Sequence, residues 1–196
     1  GDSYRGLFVD AKNVQITGTG SSSTIFDLEH TNRALSIVNK ANVSISGVTF
    51  KNGEAQPFRS FSAYGGVFLT FDASLTLSDV RMLNNSAPGF LFDGLGGAVW
   101  AQDTILSLEN TEIIDNTAGL GGGFYSTGAN VGEMRNVTFR RNRVRNGGWA
   151  GGFIPEGTSK WVIFDSLFEE NVAEFGGAID DGDSADTRIV NSVFRG

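Results

Sequence analysis

The residues best suited to chemistry are four acidic side chains near the end of the chain. Asp180, Asp181 and Asp183 lie in the stretch AIDDGDSAD, and Glu156 lies about one repeat earlier. Counted from the glycine pairs that precede them, Glu156 and Asp181 occupy equivalent positions in neighbouring repeats. Carboxylates one strand spacing apart, ~4.8 Å, suit calcium, which takes oxygen ligands, or the acid and base of glycoside cleavage. We favour a solvated polar turn, with calcium binding as the alternative and catalysis as the weakest interpretation.

A second group of charges lies in RNVTFRRNRVR, which contains Arg135, Arg140, Arg141, Arg143 and Arg145. Taken alone, this stretch suggests an anion site. However, Glu169 and Glu170 follow Arg140 and Arg141 by one repeat, and Asp115 precedes Arg141 by one repeat. The spacing therefore predicts an exposed column of alternating charge, in which each pair contributes ~0–1 kcal/mol.

Three Asn-x-Ser/Thr triplets begin at Asn42, Asn84 and Asn136. They are possible N-glycosylation acceptors if the host is eukaryotic. Asn136 lies inside a strand pattern, which makes it the poorest acceptor of the three. The triplets are compatible with a secreted protein.

An internal repeat carries all of these residues. An apolar position recurs at steps of 32, 31, 26, 29 and 26 residues, in Phe50, Met82, Ile113, Phe139, Phe168 and Phe194. Three residues after it come Gly53, Asn85, Asn116, Asn142 and Asn171. Glycine pairs follow, ending at Gly66, Gly97, Gly123, Gly152 and Gly177. A period of this length is typical of a repeat architecture.

The repeat unit consists of short β-branched segments, such as VSISGVTF and TILSLEN, without a helical period. This pattern predicts an all-β, single-stranded, right-handed parallel β-helix of about seven coils of 26–32 residues. We expect the apolar column to stack inward and the asparagines to turn the chain and form an amide ladder. The glycines would permit strained backbone or close approach of coils. Residues 1–196 are expected to form one domain, as a segment of a longer chain.

Composition excludes several classes of function. The chain has 196 residues and a net charge of -7, which argues against a nucleic-acid partner. It has no cysteine and one histidine, so thiolate chemistry and multi-histidine metal sites are excluded. No apolar run approaches the length of a membrane span.

FRRN…GGWAGGF and FEENVAEFGGAI resemble the FxxN and GGAI repeats of chlamydial polymorphic outer membrane proteins. The resemblance covers roughly residues 40–196, although Met82 and Ile113 replace phenylalanine and Gly53 replaces asparagine. It implies a pectin-lyase-like right-handed β-helix at a cell surface. Pectate-type lyases on this fold have acidic calcium sites with a basic side chain nearby, and Lys160 and Arg188 are the nearest basic residues in sequence.

These observations favour a non-catalytic structural or adhesive segment of an extracellular or cell-surface protein, and part of a larger assembly is one form that it could take. The alternative is a polysaccharide-active enzyme or a calcium-dependent carbohydrate-binding β-helix. We expect protein or carbohydrate partners and no cofactor apart from possible calcium. The open coil ends should be covered by flanking chain or a neighbouring subunit. Ice binding is disfavoured because Thr-x-Thr rows do not recur.

Overall fold

The structure is a computed structural model that describes residues 6–56, 63–89, 93–145, 147–182 and 184–196. All regular secondary structure in this part of the chain consists of β-strands. The strands are β1 (Leu7–Asp10), β2 (Asn13–Thr17), β3 (Ile25–Asp27), β4 (Leu35–Val38), β5 (Asn42–Lys51), β6 (Ala63–Tyr64), β7 (Phe68–Phe71), β8 (Ser74–Leu83), β9 (Gly94–Leu95), β10 (Val99–Gln102), β11 (Ile105–Glu109), β12 (Glu112–Ile114), β13 (Thr117–Ala118), β14 (Phe124–Thr127), β15 (Val131–Arg135), β16 (Thr138–Arg140), β17 (Arg143–Val144), β18 (Phe153–Pro155), β19 (Lys160–Phe164), β20 (Leu167–Glu169), β21 (Asp186–Val190) and β22 (Val193–Arg195). Within the described ranges, no helix is long and apolar enough to cross a membrane.

The strands stack in parallel to form the walls of a solenoid. The first face has the order β1-β4-β7-β10-β14-β18. The second face contains β2, β11, β15, β19 and β21, and the third contains β3, β12, β16, β20 and β22. Both belong to one twelve-stranded sheet because the long strands β5 and β8 run through the corner between these two faces. The predicted all-β parallel solenoid is confirmed, with about six turns where the sequence predicted about seven.

Each turn bends at residues with left-handed backbone. In one turn these corners are Gly96, Asp103, Asn110 and Asp115, with φ of 67°, 52°, 48° and 58°. Glycine, asparagine and aspartate tolerate this conformation better than other residues do. Asn136 has φ of 51° and lies between β15 and β16. The expectation that it lies inside a strand is therefore wrong.

The apolar column lies inside the solenoid, in the register read from the sequence. Parallel pairing aligns Phe139 with Phe168 and Phe168 with Phe194. The rings of both pairs stack with centroids 4.9 Å apart and planes 5° apart. Phe26 adds one more ring at the first turn, 5.3 Å from Phe50. Burial of this column contributes ~25 cal/mol per Å² of apolar surface removed from water.

A ladder of asparagine amides runs beside the apolar column. Each Oδ1 accepts from the backbone N–H of the residue one turn earlier, at 2.7–3.1 Å. Where that residue is an asparagine, its Nδ2 donates to the same oxygen. The ladder consists of Asn85, Asn116, Asn142 and Asn171. It satisfies buried amide groups that would otherwise destabilise the interior.

A glycine column allows successive turns to approach closely at the start of the first face. A Cβ at Gly97 would lie 2.0 Å from the carbonyl oxygen of Gly122, and one at Gly122 would lie 2.5 Å from that of Gly151. Such separations exclude any side chain. The aligned column is Gly66, Gly97, Gly122, Gly151 and Gly177.

The sequence alignment of this column was wrong by one residue in two turns. It placed Gly123 and Gly152 in the column, but both occupy the next position, where the N–H of Ala98 donates to the Gly123 carbonyl at 2.8 Å. The left-handed corner that precedes the column is Gly121 in one turn and Ala150 in the next. Because Ala150 replaces a glycine, adjacent Gly-Gly letters do not mark the same position in every turn.

Candidate functional site

A groove of about 470 Å³ opens beside β18 at the first face. Phe153 points into the core, so the alternation along the strand directs Ile154 to the outer side, where it is buried against Leu120, Tyr125 and Ala150. We call this site the β18 groove. Its lining consists of Trp149, Ile154, Glu156, Gly157, Asp180 and Gly182. The structure thus brings two of the four predicted acidic residues, Glu156 and Asp180, to one concave surface.

Glu156 is held in place by a tyrosine that the sequence did not single out as its partner. Tyr125 lies one turn earlier, in register with Ile154, and its phenol O–H donates to Oε2 of Glu156. Burial and this hydrogen bond both raise the pKa of Tyr125, so the phenol retains its proton. Only the pairing register reveals this contact, because Tyr125 and Glu156 are 31 residues apart in sequence.

Asp181 does not occupy the position predicted for it. A parallel bridge aligns Phe153 with Ile179, so Glu156 lies opposite Gly182 and not opposite Asp181. A Cβ at Gly182 would lie 2.9 Å from Cγ of Glu156, which places these two residues against each other. Asp181 instead accepts a hydrogen bond from Oγ1 of Thr187 at 2.9 Å. The expected equivalence of Glu156 and Asp181 is therefore wrong.

The predicted calcium site is only partly described. Asp183 lies outside the described residues. Within those residues, no group of three or more histidine, aspartate or glutamate side chains is placed to hold a metal ion. Calcium binding by Glu156, Asp180, Asp181 and Asp183 stays a prediction.

Neither basic residue considered for lyase chemistry lines the β18 groove. Lys160 and Arg188 belong to β19 and β21 on the second face, where they pair with Asp186 and Val162. The two acids of the groove and these two basic residues therefore do not converge on one surface. A lyase base of this kind has no counterpart among the described lining residues.

Aromatic residues flank the groove. Trp149 and Phe175 are bridged neighbours on adjacent turns, and their side chains are 44% and 53% exposed. Tyr125 is buried, while Tyr64 and Trp100 contact each other with centroids 5.1 Å apart. Phe90 and Phe92 lie outside the described residues. The accessible aromatic surface at the groove is thus concentrated at Trp149 and Phe175.

The arginine-rich stretch forms a charged column on the third face. Arg141 donates to both carboxylate oxygens of Asp115 at 2.8 Å, and this bond holds the pKa of Asp115 below its usual value. Glu169 lies between Arg140 and Arg195, at 3.8 Å and 2.7 Å. Acids of neighbouring turns thus engage Arg140 and Arg141, as the spacing predicted, whereas Arg135 contacts Glu133 of its own strand at 2.5 Å.

The three asparagines of the glycosylation triplets are exposed. Nδ2 of Asn84 donates to Asn52, and Nδ2 of Asn136 donates to Asn110, each at 2.8 Å. Modification of Asn42, Asn84 and Asn136 stays a prediction.

The parallel strands stacked into faces define a protein of the parallel β-solenoid class. The family model described as right handed beta helix region matches residues 5–194, and the chain belongs to this family. No curated protein and no solved structure matches the chain significantly. The resemblance to chlamydial surface repeats stays a hypothesis.

Proposed function

We propose that the chain is a non-catalytic structural and adhesive segment of an extracellular or cell-surface protein. The observation that carries this proposal is the exposed pair Trp149 and Phe175, mounted on a wall that parallel pairing and the asparagine ladder keep rigid. Aromatic side chains dominate binding surfaces because they offer large contact area at a low cost in conformational entropy. The resemblance to chlamydial surface repeats supports the location.

The end turns are proposed to be covered by flanking chain or by a neighbouring subunit. Phe26 at the first turn and Phe194 at the last are 44% and 47% exposed. A parallel strand at such an end also presents unpaired backbone groups. Covering both ends would remove this apolar surface from water.

A second candidate function is carbohydrate binding in the β18 groove, with or without calcium. It is favoured by the combination of an exposed indole with two carboxylates, Glu156 and Asp180, in one groove. Indole faces stack on sugar rings, and carboxylates accept hydrogen bonds from hydroxyl groups. A polysaccharide-active enzyme would use the same two carboxylates as acid and base.

The test uses the purified chain on a panel of glycans and on surface proteins of the host, with calcium or with chelator. The adhesive proposal predicts binding that Trp149→Ala weakens at least about tenfold, without release of new reducing ends or unsaturated uronate. Asp165→Asn is the control, because its side chain is exposed and bonds Asn191 outside the groove lining. Cleavage that Glu156→Gln abolishes would replace the adhesive proposal with the enzymatic one. An antibody against the chain should label intact cells that produce the protein. Staining only after these cells are lysed would refute the surface location.

A further inference from the structure

We propose that the β18 groove selects an amino sugar, a ligand that carries a protonated amine on a flat sugar ring. This inference rests on the carbohydrate-binding role proposed above. The geometry supplies an exposed indole at Trp149 and two carboxylates at Glu156 and Asp180 around one cavity. An amino sugar matches both features, since its ring presents C–H groups to the indole and its ammonium group presents donors to the carboxylates.

The hydrogen-bonding polarity of the lining favours a donor-rich ligand. Apart from the indole N–H, the polar side-chain groups of the described lining are the carboxylates of Glu156 and Asp180. The phenol O–H of Tyr125 occupies one oxygen of Glu156. In the described part of the chain, no lysine, arginine or histidine forms an ion pair with either acid. The remaining carboxylate oxygens can therefore accept hydrogen bonds from a bound ligand.

Charge separates the candidate ligands. Both acids are half-buried in a chain whose net charge is -7. A uronate would bring a third negative charge to this groove, where partial desolvation strengthens repulsion. A neutral sugar would satisfy hydrogen bonds but leave the charge uncompensated. An ammonium group would satisfy the hydrogen bonds and also compensate the negative charge. Such charge-assisted hydrogen bonds are roughly twice as strong as neutral ones.

Size and shape favour a sugar over a lysine-bearing peptide. A groove of about 470 Å³ has the volume of a small-molecule site. Trp149 supplies an exposed apolar wall that suits a rigid ring. Strand addition by a peptide would require an open sheet edge, whereas β18 pairs with β14 on one side and bridges to Ile179 on the other.

The test is isothermal titration of the folded chain with four probes of equal length. The probes are oligomers of glucosamine, of N-acetylglucosamine and of galacturonate, together with oligolysine. We expect the glucosamine oligomer to bind at least about tenfold more tightly than its N-acetylated counterpart, with no measurable binding of galacturonate. Trp149→Ala should weaken both sugar complexes, whereas Glu156→Gln and Asp180→Asn should reduce the preference for the amine.

Asp165→Asn is the matched control, since it makes the same change in net charge at an exposed corner outside the groove lining, where its side chain bonds Asn191. Each variant is accepted only if its thermal unfolding midpoint matches that of the parent chain. Equal affinity for the two glucosamine oligomers would overturn this inference and leave carbohydrate binding intact. If no sugar binds at all, both the preference for an amino sugar and the carbohydrate-binding role are refuted. Oligolysine binding that depends on the same residues, without sugar preference, would assign the groove to a peptide.

Discussion

Oδ1 of Asn116 accepts two hydrogen bonds from Asn85, one from the backbone nitrogen at 2.9 Å and one from Nδ2 at 2.8 Å. Nδ2 of Asn116 in turn donates to the carbonyl of Met82 at 3.1 Å and to Asn142 at 2.9 Å. Asn116 is fully buried. One side chain therefore joins three successive turns and satisfies polar groups that water does not reach.

Replacement of Asn116 by alanine should destabilise the solenoid by about 3 kcal/mol or more, because each buried group left unpaired costs about 1–3 kcal/mol. The measurement is the free energy of unfolding from urea titration. Asn42→Ala is the control, because Asn42 is exposed on β5 and such surface changes stay within about 0.5 kcal/mol. Similar losses in the two variants would contradict a supporting role for the ladder.

Two positions of the glycine column show whether contact with the neighbouring turn is what excludes a side chain there. Gly97→Ala should cost about 1–3 kcal/mol or prevent folding, since its Cβ would lie 2.0 Å from a backbone oxygen. Gly177 occupies the same column at the last turn, where the nearest atom to a Cβ is 3.0 Å away. Gly177→Ala should therefore lower the thermal unfolding midpoint much less. If the two midpoints fall equally, steric exclusion is not the reason for this column.

Truncation of a phenylalanine in the stack should destabilise the chain more in the interior than at the end. Phe139→Ala should destabilise the chain by about 3–5 kcal/mol, as is usual for a fully buried phenylalanine. Phe194→Ala, at the exposed end of the same stack, should cost about 1 kcal/mol, because much of the ring already contacts water. Urea titration of both variants measures the difference. A larger loss for Phe194 would show that the end turn contributes more to stability than the interior.

The wall of the solenoid was predictable because its constraints repeat. Phe139, Phe168 and Phe194 must keep register to stay inside, and Asn142 and Asn171 must keep register to bond each other. A slip of one residue would turn every side chain to the opposite side. Selection for register therefore leaves the same letters at the same offset from each apolar residue, and the alignment found them.

The groove was less predictable because its position depends on a corner where the letters vary. Ala150 occupies a left-handed position that is glycine in the preceding turn, so counting from glycine pairs shifted Glu156 by one residue. That shift paired Glu156 with Asp181 instead of Gly182. Long-range contacts across turns follow from register alone, and no local pattern around Tyr125 encodes them.

Asp27 should make the stability of the first turns depend on pH. Nδ2 of Asn52 donates to its carboxylate at 2.9 Å and Nζ of Lys51 lies 2.9 Å away, and these contacts lower the pKa of Asp27 to about 2. The unfolded chain has the ordinary value of 3.8 and binds more protons between these two pKa values. The contribution of Asp27 to stability is therefore fully present above about pH 4 and is lost as the pH falls towards about 2.

Asp27→Asn removes this titration, so the variant should lose less stability than the parent chain between about pH 5 and about pH 3. Lys51→Met keeps the hydrogen bond from Asn52, the largest cause of the shift, and should give an intermediate pH dependence. The measurement is the urea midpoint of each protein across this range. A parent and an Asp27→Asn variant with identical pH profiles would show that the contacts of Asp27 do not persist in solution, because a carboxylate held by Asn52 and Lys51 must resist protonation more strongly than a free one.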